Sequence, residues 1–155
     1  MKICIVSSAG GHLKEMNRLL PILRKHDYFY ITFAEEEITS GLGGRVYRVV
    51  NPDVRNRKLG AKAFAKNFLQ VLRILKKEKP DVVMTSGAGV ALAPCYLAKL
   101  LFGAKIIFIE TSSRFDKPSL IGRMLYPIAD LFLVQWPGVL KYYGKKAKYA
   151  GCLFG

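Results

Sequence analysis

The chain has 155 residues, of which 51% are hydrophobic and 23% charged. This balance is typical of one compact domain and excludes a disordered polyelectrolyte. The 25 lysines and arginines outnumber the 11 aspartates and glutamates, which gives a formal net charge of +14. Such an excess favours an anionic binding partner. The candidate classes are nucleic acid, acidic lipid headgroups and a phosphorylated substrate.

The cysteines and the apolar stretches narrow the class of protein further. Cys4, Cys95 and Cys152 are far apart and lie in apolar sequence, which favours a reducing cytoplasm over a disulfide framework or a zinc site. We expect no metal and no cofactor. The first strand is too short for a signal-peptide core. The longest apolar stretch, residues 90–109, is divided by Pro94 and two lysines, so it predicts a helix and a buried strand instead of a membrane span.

Apolar runs alternate with helical patterns along the whole chain. The predicted strands are residues 3–6, 28–33, 45–50, 81–84, 105–109 and 130–134. The predicted helices lie around residues 12–25, 59–78, 90–102, 119–128 and 137–143. Several strands are apolar throughout, as strands covered on both faces must be. The alternation predicts a single α/β domain, residues 1–155, with a doubly wound parallel sheet and right-handed crossovers.

Residues 59–79 predict an amphipathic helix with a strongly basic side. The apolar face, which we expect to pack on the sheet, holds Phe64, Phe68, Val71, Leu72 and Leu75. The opposite face and the segment before it are basic, and such a face is either solvated or in contact with phosphate-rich lipid or polymer. The residues that we expect to face an anionic surface are Arg55, Arg57, Lys58, Lys62, Lys66 and Arg73.

Three predicted strands end in loops with unusual chemistry, SSAGGH at residues 7–12, TSGAG at 85–89 and ETSS at 110–113. Ligands bind beyond the carboxyl ends of parallel strands, so we expect all three loops to open on one edge. Glycines and a following helix N-terminus suit an anion, and two such loops side by side suit a diphosphate. Each loop alone is also compatible with a packing role. Neither glycine loop matches the dinucleotide fingerprint or a Walker motif.

Two titratable residues stand in these loops. His12 lies at the start of the first predicted helix. There it either donates hydrogen bonds to phosphate oxygens, accepts a proton from a sugar hydroxyl, or has no functional role. Glu110 ends an otherwise apolar strand, where a carboxylate must be paired, hydrogen-bonded or facing the cleft. The polar neighbours of Glu110 favour the cleft.

The segments SSAGGHLKEM, TSGAGVALAP and IFIETSSRFDKPSLIGRMLYPIADLFLVQWPGVLKYY resemble the acceptor-binding subunit of two-component GT-B glycosyltransferases. The resemblance spans essentially the whole chain. Eukaryotic members help to add the second N-acetylglucosamine to a dolichol-diphosphate-linked sugar, and similar subunits serve polysaccharide synthesis in bacteria and archaea. The resemblance implies a Rossmann-like domain equivalent to the N-terminal half of a GT-B glycosyltransferase. It also implies a heterodimer in which a second polypeptide binds the UDP-sugar, so this chain should not catalyse transfer alone.

The resemblance also implies roles for individual residues. The residues facing the acceptor diphosphate would be Ser8, Gly10, Gly11 and His12 in the first loop and Ser86, Gly87 and Gly89 in the second. Glu110 matches an acidic residue near the reaction centre, so Glu110 and His12 are the candidate catalytic residues. The acceptor would be a lipid-diphosphate-linked sugar, and the donor UDP-N-acetylglucosamine or UDP-glucuronate. Near the end of the sequence, Leu153 and Phe154 either dock on the donor-binding subunit or belong to a frayed tail.

Membrane recruitment is a further expectation, because the eukaryotic members begin with an anchor that this sequence lacks. We expect a peripheral protein on the cytoplasmic face of the membrane, bound through the basic region and exposed apolar residues at 100–102 and 136–143. Core packing is the alternative for both apolar segments.

Two other functions remain open. A nucleic-acid-binding module would mix aromatic and basic residues along a groove, whereas Phe29, Phe33, Phe64 and Phe108 occupy core-like positions, so no nucleic acid is expected. A self-sufficient sugar-phosphate or nucleotide-binding enzyme would turn over substrate without a partner.

Overall fold

The structure is a computed structural model, which describes residues 1–33, 42–50 and 57–154, with side chains from residue 63 onward in the last range. The described strands are β1 Lys2–Val6, β2 Asp27–Thr32, β3 Arg45–Arg48, β4 Val82–Thr85, β5 Lys105–Ile109, β6 Leu131–Val134 and β7 Ala147–Tyr149. They form one sheet in the order β3-β2-β1-β4-β5-β6-β7, and all neighbouring strands are parallel. The predicted parallel α/β sheet is therefore confirmed.

The described α-helices are α1 Gly11–Arg18, α2 Leu20–Leu23, α3 Arg57–Glu78, α4 Leu92–Phe102 and α5 Leu120–Leu125. Short 3₁₀ helices span Gly89–Ala91 and Pro137–Tyr142. The first predicted helix is divided in two at Leu19, since Pro21 has no N–H to continue the hydrogen-bonding pattern. None of these described helices has the length and apolar character needed to cross a membrane.

The core lies on both faces of the sheet. One apolar cluster takes Cys4, Val83 and Phe108 from the strands and packs against α3 and α4. The other takes the alternate residues, such as Ile5, and packs against α1 and α2. Alternate residues of a strand point to opposite faces, so the sheet is covered by helices on both sides, as a doubly wound fold requires.

The structure corrects two details of the sequence interpretation. β7 is a seventh strand that was not predicted, because its three residues are mostly exposed and show no apolar run. In α3, Val71 and Leu75 are buried as expected, but Phe64 is 54% exposed and Phe68 37%, so these two rings do not pack into the core as predicted. A helix of 22 residues is about 33 Å long and overhangs strands of about 15 Å.

Candidate functional site

The turns after β1 and β4 meet at the carboxyl edge of the sheet, because β1 and β4 are parallel neighbours. Gly10 closes the first turn with a φ of +83°, and α1 begins at the next residue. His12 is in the first turn of α1, and its Nδ1 atom lies 2.9 Å from Ser86 Oγ. The prediction that these two glycine loops open on the same edge is confirmed.

The glycines of the two turns differ in what surrounds them. Gly87 has a φ of +96°, and a Cβ atom there would lie 3.2 Å from the Phe108 ring, so both its backbone and its packing require glycine. A Cβ atom at Gly10, Gly11 or Gly89 would meet nothing within 4 Å. These three glycines therefore leave the backbone open to a ligand.

A pocket of about 530 Å³ lies between the two turns and the overhanging half of α3. We call it the glycine pocket. Its polar end is formed by Ser8, His12, Gly87 and Gly89, four of the predicted acceptor-binding residues. The rest of the lining consists of Asn67 and the apolar residues Phe33, Phe64, Ala88, Val90, Leu92, Ala93, Leu120, Ile121 and Met124. Gly10, Gly11 and Ser86 belong to the same turns without lining this pocket.

An apolar groove of about 570 Å³ continues from the glycine pocket. The groove lies between α3, α4 and α5 and is lined by Phe64, Phe68, Leu92, Ala93, Tyr96, Leu97, Leu100, Leu101 and Met124. Four of these residues, Phe64, Leu92, Ala93 and Met124, also line the glycine pocket. Leu100 is 72% exposed and Leu101 59%, which confirms that this apolar segment reaches the surface.

Glu110 is fully buried and does not line the glycine pocket. Its Oε1 atom accepts the Thr111 N–H, and its Oε2 atom accepts the Ser119 N–H and the Tyr143 hydroxyl. Of the three possibilities that the sequence left open, the structure shows a hydrogen-bonded carboxylate and not one that faces the cleft. Burial and then the hydrogen bond to Glu110 raise the pKa of Tyr143 well above its usual value, so its hydroxyl remains a donor.

Glu15 was missed in the sequence analysis. It is 1% exposed, and its Oε1 atom accepts hydrogen bonds from Thr111 Oγ1 at 3.0 Å, Ser112 N at 2.6 Å and Gln135 Nε2 at 3.3 Å. The first two bonds join α1 to the third predicted loop, residues 110–113, and the third joins α1 to the residue that follows β6. The available signal was its spacing, because residues three apart on a helix share a face and Glu15 follows His12 by three.

Gln135 links this network to the end of the chain. Its Nε2 atom donates to Glu110 O at 3.0 Å and to Glu15, while its Oε1 atom accepts the Leu153 N–H at 2.7 Å. Leu153 packs against the core cluster that contains α1. Phe154 is 45% exposed, and its ring centroid lies 5.3 Å from the Arg18 guanidinium carbon.

The predicted basic surface is described in part. Lys66 and Arg73 are exposed on α3. Arg55 lies outside the described residues, as do the side chains of Arg57, Lys58 and Lys62. The role of all six in contacting an anionic surface stays a prediction.

Residues 54–153 match the model of a family described as oligosaccharide biosynthesis protein Alg14 like. The chain belongs to this Alg14-like family. The suspected family is thereby confirmed over most of the chain, including the turn after β4 and the loop after β5.

Curated relatives extend this similarity to the first strand and turn. The chain is 29% identical, over 98% of its length and 81% of the relative, to a UDP-N-acetylglucosamine transferase subunit of Yarrowia lipolytica. It is 34% identical to the human subunit of the same description, over 46% of this chain and 36% of that protein. It is also 42% identical to the Schizosaccharomyces pombe subunit, again over 46% of this chain and 36% of that protein.

Solved structures show the same fold. Acinetobacter baumannii MurG superimposes with a TM-score of 0.78 at 15% identity, over 96% of this chain. A UDP-N-acetylglucosamine 2-epimerase from Rickettsia bellii gives a TM-score of 0.69 at 16% identity, over 99% of this chain. The chain spans about half the length of these two solved proteins, 45% in each case.

Proposed function

We propose that this chain is the acceptor-binding subunit of a two-component glycosyltransferase. The reaction adds a sugar from a UDP-sugar, either N-acetylglucosamine or glucuronic acid, to a lipid-diphosphate-linked saccharide. The observation that carries the proposal is a pocket between two glycine turns, polar at Ser8 and His12, that continues into an apolar groove. A lipid diphosphate has this same division into a compact anion and an apolar chain. The relatives named as N-acetylglucosamine transferase subunits support the reaction class.

The diphosphate lies against Ser8, His12, Gly87 and Gly89 in the glycine pocket and extends over the adjoining N-terminus of α1. The N-terminus of α1 presents unpaired backbone N–H groups there, and Gly10, Gly11 and Gly89 allow close approach. Ser8 supplies a hydroxyl donor, whereas the buried Ser86 acts through its contact with His12. His12 is the only residue with an ionisable cationic side chain among the described residues that line the pocket, so neutral donors hold most of the anion.

The lipid chain leaves the pocket through the apolar groove toward the membrane. The groove carries the exposed apolar residues Leu100 and Leu101, and such a surface suits contact with lipid. Lys66 and Arg73 are exposed on the opposite face of α3, where they add to the general attraction of the protein to anionic lipid headgroups. The net charge of +14 supports the same neighbour. The protein therefore binds peripherally to the cytoplasmic face of the membrane and brings its partner there.

His12 is the general base of the reaction. As the acceptor hydroxyl attacks the anomeric carbon of the UDP-sugar, His12 takes up the hydroxyl proton. The new carbon–oxygen bond forms while the bond to the UDP oxygen breaks, and the electron pair leaves with UDP. Glu110 acts indirectly, because its three hydrogen bonds hold residues 111, 119 and 143 around the site.

A donor-binding subunit completes the cleft and forms a heterodimer with this chain. The exposed Phe154 ring and Leu153, which is fixed by Gln135, form the docking surface at the end of the chain. The partner contributes the wall that binds UDP and stabilises its developing charge. Metal ions and cofactors have no part in this proposal.

The test is transfer of labelled sugar to a short-chain lipid-diphosphate sugar, with UDP-N-acetylglucosamine and UDP-glucuronate as alternative donors. We expect product only when this chain and the donor-binding subunit are both present. Turnover by this chain alone would support a self-sufficient sugar-phosphate or nucleotide-binding enzyme instead. Absence of product and of a complex would overturn the proposal.

A further inference from the structure

Glu15 is a buried carboxylate with one oxygen that lacks a hydrogen bond. Three donors contact Oε1, whereas Oε2 has no hydrogen-bond partner among the described residues. The Oε2 atom lies 3.8 Å from Nδ1 of His12, whose side chain is partly exposed. An unpartnered buried carboxylate oxygen is unfavourable, so a compensating interaction with His12 is expected at this position.

Ser86 alone does not determine which ring nitrogen of His12 carries the proton. Its hydroxyl either accepts from Nδ1 or donates to Nδ1, and both arrangements fit the 2.9 Å distance. When Nδ1 carries the proton, the Ser86 hydroxyl is free to donate to the His12 carbonyl oxygen, 3.4 Å away. When Nε2 carries it, the lone pair of Nδ1 faces the Glu15 carboxylate.

We propose that Glu15 is a positioning residue that holds neutral His12 as the Nδ1–H tautomer. A carboxylate attracts the N–H dipole and repels a nitrogen lone pair, and burial strengthens both effects. The Nε2 atom then keeps its lone pair and is available to accept a proton. The consequence for catalysis rests on the proposed function of His12, but the tautomer itself does not.

Hydrogen bonds fix the orientation of the Glu15 carboxylate. Its Oε1 atom is held by donors from two other parts of the chain, residues 111–112 and Gln135. Gln135 is itself fixed by Glu110 and Leu153. Rotation of Oε2 away from His12 would break these bonds, so the orientation is set by the fold around it.

The test is nitrogen NMR of the isolated chain with ¹⁵N-labelled histidine, at about pH 9, where an imidazole is neutral. The chain has 2 histidines, so His26 is an internal control. We expect the Nδ1–H tautomer to predominate at His12, and Glu15→Gln to lower the ratio of Nδ1–H to Nε2–H by at least about threefold. Ser86→Ala should keep the Nδ1–H tautomer, because Glu15 and not Ser86 selects it. This second variant tests the inference when Glu15→Gln does not fold.

A predominant Nε2–H tautomer in the wild type, or an unchanged ratio in folded Glu15→Gln, would overturn the inference. The experiment needs neither partner nor substrate, so it distinguishes failure of this inference from failure of the proposed function. In the reconstituted complex, Glu15→Gln should lower kcat about tenfold and leave the acceptor KM within about twofold. A raised KM with unchanged kcat would show that Glu15 has a merely structural role.

Discussion

His12 and Ser86 are 74 positions apart in sequence, yet Nδ1 of one lies 2.9 Å from Oγ of the other. The contact joins the turn after β1 to the turn after β4, and both turns end at the same edge of the sheet. It places a side chain that can transfer protons beside open glycine backbone in the glycine pocket. The proposed acceptor site depends on this pairing.

Replacement of His12 tests its role as the base. We expect His12→Gln to lower kcat of the reconstituted complex by roughly 10²–10⁴-fold, because glutamine keeps hydrogen bonding but takes up no proton. The acceptor KM should change little. His26→Gln, in the turn before β2, is the matched control and should keep full activity. An undiminished rate in His12→Gln would show that another group is the base.

The glycine turns allow ligand binding to be separated from folding. We expect Gly11→Ala to keep the wild-type stability, because a methyl group there meets only open space. We expect the same variant to weaken acceptor binding, because the methyl group would take up space that the proposed diphosphate occupies. We expect Gly87→Ala to lower the free energy of unfolding by about 1–3 kcal/mol, because of its positive φ and the Phe108 ring. Denaturant unfolding and acceptor titration measure the two effects. Equal acceptor affinity in Gly11→Ala would contradict the proposed diphosphate contact.

Tyr143 tests the view that Glu110 organises the site. We expect Tyr143→Phe to lower the free energy of unfolding at pH 7 by about 1–3 kcal/mol, because a buried carboxylate loses a donor. Since the fold raises the pKa of Tyr143, this stabilisation is fully present below about pH 10, the unfolded value, and is lost as the pH rises through the folded value. The stability difference between the two proteins should therefore be constant from pH 7 to about 9. A difference that vanishes in that range would contradict the hydrogen bond.

Membrane binding and partner binding should respond to different residues, because the groove and Phe154 adjoin core clusters on opposite faces of the sheet. The double variant Leu100→Ser, Leu101→Ser should lower binding to anionic vesicles at least about tenfold, without loss of stability. Phe154→Ala should weaken the complex with the donor-binding subunit about tenfold. Cosedimentation with vesicles measures membrane binding, and calorimetry measures binding to the donor-binding subunit. Each variant is the control for the other in both measurements. Loss of both functions in either variant would contradict separate surfaces.

The sequence predicted the parts of the fold that depend on local patterns. Apolar runs alternating with helical segments were sufficient to predict the parallel sheet, and the glycine turns indicated the edge at which the glycine pocket lies. Hydrogen bonds between distant parts of the chain could not be predicted: Glu110 accepts one from Tyr143, which is 33 positions away, and Glu15 accepts one from Gln135, which is 120 positions away. A glutamate in the first turns of a helix is usually solvated, so only the folded chain distinguishes Glu15.

The same limit explains the error in α3. Helical periodicity placed Phe64 and Phe68 on the core face, but periodicity does not tell how far the sheet extends beneath a helix. Their exposure follows from the difference in length between α3 and its neighbouring strands. The prediction failed at the residues that line the apolar groove.

The most direct test of the central claim is equilibrium binding to this chain in the absence of any partner. Calorimetry would compare a short-chain lipid-diphosphate N-acetylglucosamine with UDP-N-acetylglucosamine, using wild type and Gly11→Ala. We expect the lipid diphosphate to bind the wild type, to bind Gly11→Ala more weakly, and the UDP-sugar not to bind either protein. Tight binding of the UDP-sugar to the single chain, with no binding of the lipid diphosphate, would contradict an acceptor-binding subunit.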